Sequence, residues 1–238
     1  MLTSVRDMWG WSIGAADGHI GRVVDAYFDD RRWAVRYLVI DGHQWLGRHR
    51  VLFSPQEVSR ADAAGRVLWT NLTRRAVADG PDFDLAKPVS RQHRFSHSYE
   101  LPVYAVAVGA SLALAASPDS DGEDEAEFDP HLRSVRAITG YYVHAVNGDV
   151  GHVSDFLVDD RTWAIRHLVV SVGTWWPVRK VLVPAEWIAA VRWAAGTVAV
   201  SLHAESIELA PEYDLARVTP EYEARLRRYY GRSPLVSS

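Results

Sequence analysis

Hydrophobic positions along this chain come in short bursts, not in long helical stripes. Residues 22–28 and 33–40 are rich in β-branched and aromatic side chains and are bounded by polar residues, a pattern that predicts strands. Between them Asp29, Asp30, Arg31 and Arg32 form a polar turn, where Asp carboxylates can bond to nearby backbone amides. Asp17-Gly18 and Asn147-Gly148 are dipeptides that accept positive φ at both turn positions, so each predicts a hairpin. Residues 51–53, followed closely by Pro55, and residues 67–72 add two more short strands. Helix is confined to 73–78, 203–209 and 220–230. The last opens on Pro220, with Tyr222, Leu226 and Tyr229 on one face and Arg225 and Arg228 on the other.

These patterns occur twice. Residues 18–52 and 148–182 align at a constant offset of 130, with identities at Gly18/Gly148, Gly21/Gly151, Asp25/Asp155, Trp33/Trp163, Arg36/Arg166 and Trp45/Trp175 among others. Downstream, Pro81-Asp82-Phe83-Asp84 matches Pro211-Glu212-Tyr213-Asp214. Two copies at this separation make a tandem pair of modules, since a solenoid needs at least three stacked repeats. Short strands, regular turns and little helix predict an all-β fold with a few short helices, built as two tandem small β-barrels joined by a linker. The expected boundaries are 1–93, a connector over 94–131, and 132–238, each barrel being expected to fold without the other. Trp33 and Trp163, inside apolar runs, are expected in strands and in the core. Asp25 is placed to pair with Arg36 across its hairpin.

The repeated pattern Gly18-x-x-Gly21-x-Val23-x-Asp25, then Asp29-Asp30-x-x-Trp33-x-x-Arg36-x-Leu38-Val39, then a basic residue before Val51-Leu52, resembles the PRC-barrel family. That family is named for the H subunit of the purple-bacterial photosynthetic reaction centre, and a related barrel forms the C-terminal half of a ribosome-maturation factor. The resemblance covers residues 5–90 and 132–220. It departs from the family in the connector, whose apolar run and acidic tract are unlike the short aromatic-rich linker expected there. It implies a non-enzymatic interaction module. The specific expectation is a peripheral subunit or adaptor on the cytoplasmic face of the inner membrane, docked on a protein assembly such as a reaction-centre-type complex. The alternatives it leaves open are a free cytoplasmic protein of stress response or ribosome assembly, and a small-ligand binder at the cleft between barrels. Fold resemblance alone is an associational ground for any of these.

Composition adjusts this picture at a few points. The chain contains no cysteine, which excludes a disulfide framework, a cysteine nucleophile and thiolate metal sites, and suits a reducing compartment. Residues 119–129 hold seven acids and no base; removing those seven charges from the net charge of −4 leaves +3. That remainder is too weak for a nucleic-acid surface, which would show clustered basic residues. The apolar run 102–116 is short of the ~20 residues a spanning helix needs, so no direct membrane span is expected.

Candidate chemistry is sparse. The carboxylates Asp25, Asp29 and Asp30, with their copies, are explained by turn chemistry without an acid–base role. His93 and His97 stand four apart but have no third ligand nearby, so no metal is expected. The stretch 109–113 lacks the second glycine of a nucleophile elbow and the strand–turn–helix that positions one. No phosphate-binding motif is present, and neither catalytic nor cofactor-binding residues are assigned. The interface candidates are the aromatic and apolar residues outside the strands. Trp45-Leu46 and Trp175-Trp176 lie between strands, where such groups serve either as interface anchors or as caps on a barrel end. In 103–108 the larger residues Tyr104, Val106 and Val108 alternate with small ones, as in an extended strand with one buried face. An unpaired strand of that kind aggregates unless it lies on a partner or on the chain's own barrels.

Overall fold

The computed structural model describes residues 1–42, 50–79, 88, 129–173 and 178–231. The structure is mostly β, in two seven-stranded sheets with a few short helices. In chain order the strands are β1 (Leu2–Ser4), β2 (Ser12–Ala15), β3 (Gly18–Asp29), β4 (Ala34–Asp41), β5 (Arg50–Phe53), β6 (Val58–Asp62) and β7 (Val67–Thr70). The second repeat supplies β8 (Leu132–Ser134), β9 (Tyr142–Ala145), β10 (Gly148–Asp159), β11 (Ile165–Val172), β12 (Arg179–Pro184), β13 (Ile188–Arg192) and β14 (Thr197–Val200). The helices are α1 (Arg74–Ala78), α2 (Val135–Ile138), α3 (Ala204–Glu208) and α4 (Pro220–Tyr230).

The sheet orders are β5-β4-β3-β2-β7-β6 and β12-β11-β10-β9-β14-β13, with the β2–β7 and β9–β14 pairs parallel and the others antiparallel. Among the described residues no pairing closes either sheet into a barrel. Both predicted hairpins form, joining Ala15 to Gly18 and Ala145 to Gly148. Gly18 and Gly148 carry the positive φ (133° and 151°), whereas Asp17 and Asn147 keep ordinary values. Gly21 and Gly151 are needed for a different reason: a Cβ there would fall 2.3 Å from the Asp41 carbonyl oxygen and 2.0 Å from that of Ser171. The turns at 29–32 and 159–162 form as read, with Asp29 Oδ1 accepting from the amides of Arg31 and Arg32 and Asp159 Oδ1 from those of Arg161 and Thr162.

The seventh strand of each sheet comes from the other repeat. β1 pairs with β10, and β8 pairs with β3. The repeats therefore form two lobes that exchange one strand each, at equivalent positions of the two sheets. A further bridge joins Ala34 to Ala164, with the Val35 amide donating to the Trp163 carbonyl (2.9 Å) and the Ile165 amide to the Trp33 carbonyl (2.6 Å). Trp33 and Trp163 thus stand in the turns before β4 and β11, not inside strands, and both take left-handed backbone (φ 49° and 57°). Trp163 is buried and Trp33 half-buried.

One apolar core runs through both lobes, from Val23, Phe28 and Leu38 to Phe156, Leu168 and Val198. Phe28 and Phe156 meet at its centre, both wholly buried, with ring centroids 5.5 Å apart. On the second lobe α4 adds a layer. Thr219 caps it through the Tyr222 amide, and Tyr222, Leu226 and Tyr230 point inward, Tyr229 being only partly covered. The Tyr230 hydroxyl donates to the Leu182 carbonyl at 2.9 Å, satisfying a group that would otherwise be buried without a partner. Among the described residues no helix is long and apolar enough to cross a membrane; the 102–116 run lies outside them.

Candidate functional site

Every residue singled out as an interface candidate lies outside the described residues: Trp45 and Leu46 in 43–49, Trp175 and Trp176 in 174–177, and Tyr104, Val106 and Val108 in the connector. The histidine pair His93 and His97 lies outside them too. Trp45 and Leu46 join β4 to β5, and Trp175 and Trp176 join β11 to β12, the equivalent connection to an outermost strand in each lobe.

The best-defined polar groups sit at the junction of the lobes. A β-bulge interrupts β3 between Val23 and Asp25, and another interrupts β10 between Val153 and Asp155. An extra residue in a strand re-aims the side chain next to it. Here it brings each aspartate against the strand that arrives from the other repeat. Asp155 accepts from the Ser4 hydroxyl (2.5 Å) and the Arg6 amide (3.0 Å); Asp25 accepts from the Ser134 hydroxyl (2.6 Å) and the Arg136 amide (3.1 Å). Each serine oxygen also accepts an amide of the following helical turn, from Asp7 and Ala137 respectively. Burial raises the pKa of both aspartates, opposed by the hydroxyl and amide donors around them. The expected Asp25–Arg36 pair does not form. The bulge turns Asp25 toward Ser134, and Arg36 reaches Asp129 instead (2.5 Å).

A hydroxyl against a carboxylate is the pairing a nucleophile needs, but Ser4 and Ser134 are buried (2 % and 5 % exposed) and locked by two hydrogen bonds each. They hold strands together and leave no room for a substrate. Asp30 ties the same seam on the first lobe, accepting from Arg133 Nε and lying 2.9 Å from His131 Nδ1. Among the described residues no three His, Cys, Asp or Glu side chains gather as a metal site would require.

Two clefts open beside the Trp33 and Trp163 turns. One, of about 320 Å³, lies between Arg32 and Trp33 of the first repeat and Ile165, Arg166, His167 and Pro184 of the second, with α4 along its edge. Its counterpart, of about 470 Å³, is lined by Val35, Arg36, Tyr37 and Ser54 with Thr162 and Trp163. His167 is buried, with Nε2 2.9 Å from Glu223 Oε1 on α4, while its Nδ1 has no hydrogen-bond partner. Burial pushes the His167 pKa below its ordinary value, against the pull of Glu223. The sequence reading left open a cleft between the repeats but named none of its residues, because these clefts arise only where two distant turns meet. The signal available was Trp33/Trp163, the one bulky pair repeated inside an otherwise polar turn. No protein-family model matches the chain, and no curated protein matches it either.

Proposed function

We propose that this chain is a non-catalytic docking subunit, a tandem pair of PRC-type barrels that act as one rigid adaptor on a protein assembly. The observation that carries this reading is the reciprocal strand exchange, secured at Ser4–Asp155 and Ser134–Asp25. It joins the two repeats as a single body, and in this reading that body is the frame that carries the tryptophan anchors. Two anchors on a rigid frame engage a surface without paying the ordering entropy twice. Large aromatics are the residues that dominate such contacts. The repeated Gly-x-x-Gly and Asp-Asp-x-x-Trp patterns, each falling on equivalent strands and turns, support the family assignment.

The specific partner in this reading is a membrane-attached complex of the photosynthetic reaction-centre type, engaged from the cytoplasmic side. Native membranes solubilised in mild detergent, followed by affinity isolation of the full chain, should yield an integral membrane complex in fixed ratio. Recovery only in the soluble or the ribosomal fraction would remove the docking site from the membrane, the latter outcome favouring a role in ribosome assembly.

A further inference from the structure

The two junction clefts are copies of one another in backbone and unlike in chemistry, and that difference points to a ligand. We infer that the cleft beside α4 binds a small amphipathic anion, a phosphate or carboxylate head group carried on an apolar or aromatic body. This inference is independent of the docking reading.

The volume of about 320 Å³ sits at the lower end of the range for small-molecule pockets, ~300–1,000 Å³. One wall is apolar, formed by Trp33, Ala164, Ile165 and Pro184. Around it stand three guanidinium groups from three separate elements: Arg32 from the first-lobe turn, Arg166 from β11 and Arg227 from α4. These cations are underused. Arg166 is 3.7 Å from Glu223 and Arg227 is 3.7 Å from Glu186, both too long for a hydrogen bond. Arg32 has no ion pair among the described residues. Each guanidinium offers five N–H donors in a planar fork that phosphate or carboxylate oxygens accept bidentately. Of the two carboxylates in the cleft, Glu223 is engaged by the buried His167, so it is turned to the protein side.

The other cleft shows what the same backbone looks like without this arrangement. Arg32 lines it as well, but it has Tyr37 where the first has His167, Gln56 where it has Glu186, and, among the described residues, no counterpart of α4 with Arg227. Its own Arg36 is taken by Asp129. Arg166 and Arg36 are repeat equivalents and Arg32 borders both clefts, so what the first cleft adds is Arg227 on α4, which brings a third guanidinium to the same wall.

The test is calorimetric titration of the full chain with phenyl phosphate, inorganic phosphate and benzyl alcohol. Phenyl phosphate should bind one per chain, with inorganic phosphate weaker and benzyl alcohol not saturable. Arg32→Gln and Arg227→Gln should each weaken phenyl phosphate about tenfold, the worth of one charge-assisted hydrogen bond. Arg36→Gln, in the other cleft, should leave it unchanged. Arg32 is exposed in a turn, so its variant keeps the fold and the test if Arg227→Gln lowers the melting temperature. Absence of saturable phenyl phosphate binding overturns the inference, as does binding that survives both arginine substitutions. Equal binding of benzyl alcohol would overturn the anionic class, and equal binding of inorganic phosphate the amphipathic one.

Discussion

At the parallel strand pair beside each hairpin, the first lobe sets Gly14 against Trp69, and the second sets His144 against Ala199. A Cβ on Gly14 would fall 2.5 Å from the Trp69 ring, so the first lobe puts its bulk on β7 and leaves β2 bare. The second lobe divides the bulk the other way round. At the exchanged strands nothing of the kind happens: Ser4/Ser134, Asp25/Asp155 and the bulge before each aspartate are the same in both copies. The contrast separates two kinds of constraint. A pair at the sheet surface tolerates such redistribution, His144 being exposed and 2.8 Å from Asp149. A buried carboxylate that accepts a hydroxyl and two amides does not, because losing any donor leaves a desolvated charge.

The largest expected effect tests whether the lobes can be compared as separate objects at all. Phe28→Ala and Phe156→Ala each remove a wholly buried ring at the shared core and should cost ~3–5 kcal/mol. Either variant should still unfold in one calorimetric transition that takes both lobes together. A variant with one lobe melting while the other stays folded would show that the exchange does not couple them. Smaller, and equal in sign, is the response to Asp25→Ala and Asp155→Ala, about 1–3 kcal/mol each in urea unfolding, from donors left without an acceptor.

The smallest effect belongs to one lobe alone. Burial holds His167 below its ordinary pKa of 6.5, so the unfolded chain takes up a proton at a pH where the folded chain does not. Stability from this site is present above 6.5 and is lost as the pH falls below it. His167→Gln should flatten the pH dependence of the melting temperature in that window. A slope identical to that of the parent chain would place the titration elsewhere.

Much of the fold was legible in the sequence because local chemistry dictates it. Gly18 and Gly148 mark hairpins, Asp29 and Asp159 mark turns, and Pro220 with Thr219 marks the start of α4. The exchange was not legible, although its partners repeat at the same offset. Leu2-Thr3-Ser4 and Leu132-Arg133-Ser134 are too short to announce a strand, and nothing in their periodicity says which sheet they join. The two tryptophans misled for a physical reason: a bulky side chain rarely takes left-handed backbone, and an apolar run around it reads as strand. The cleft chemistry was invisible because Arg32 and Arg227 are 195 positions apart and each, alone, is an ordinary surface arginine.

The exchange also sets an order of events during synthesis. Asp25 waits for Ser134, 109 residues later, and Ser4 waits for Asp155, 151 residues later. Pairings this distant in the chain are slow to close, and an unpaired strand edge is exposed to other chains meanwhile. The first repeat to leave the ribosome is thus the one that stays unfinished, with the outer half of β3 open until β8 has been translated. The first lobe gains its last strand before most of the second repeat has been translated, and a ribosome paused in the connector would hold a nascent chain with that edge uncovered.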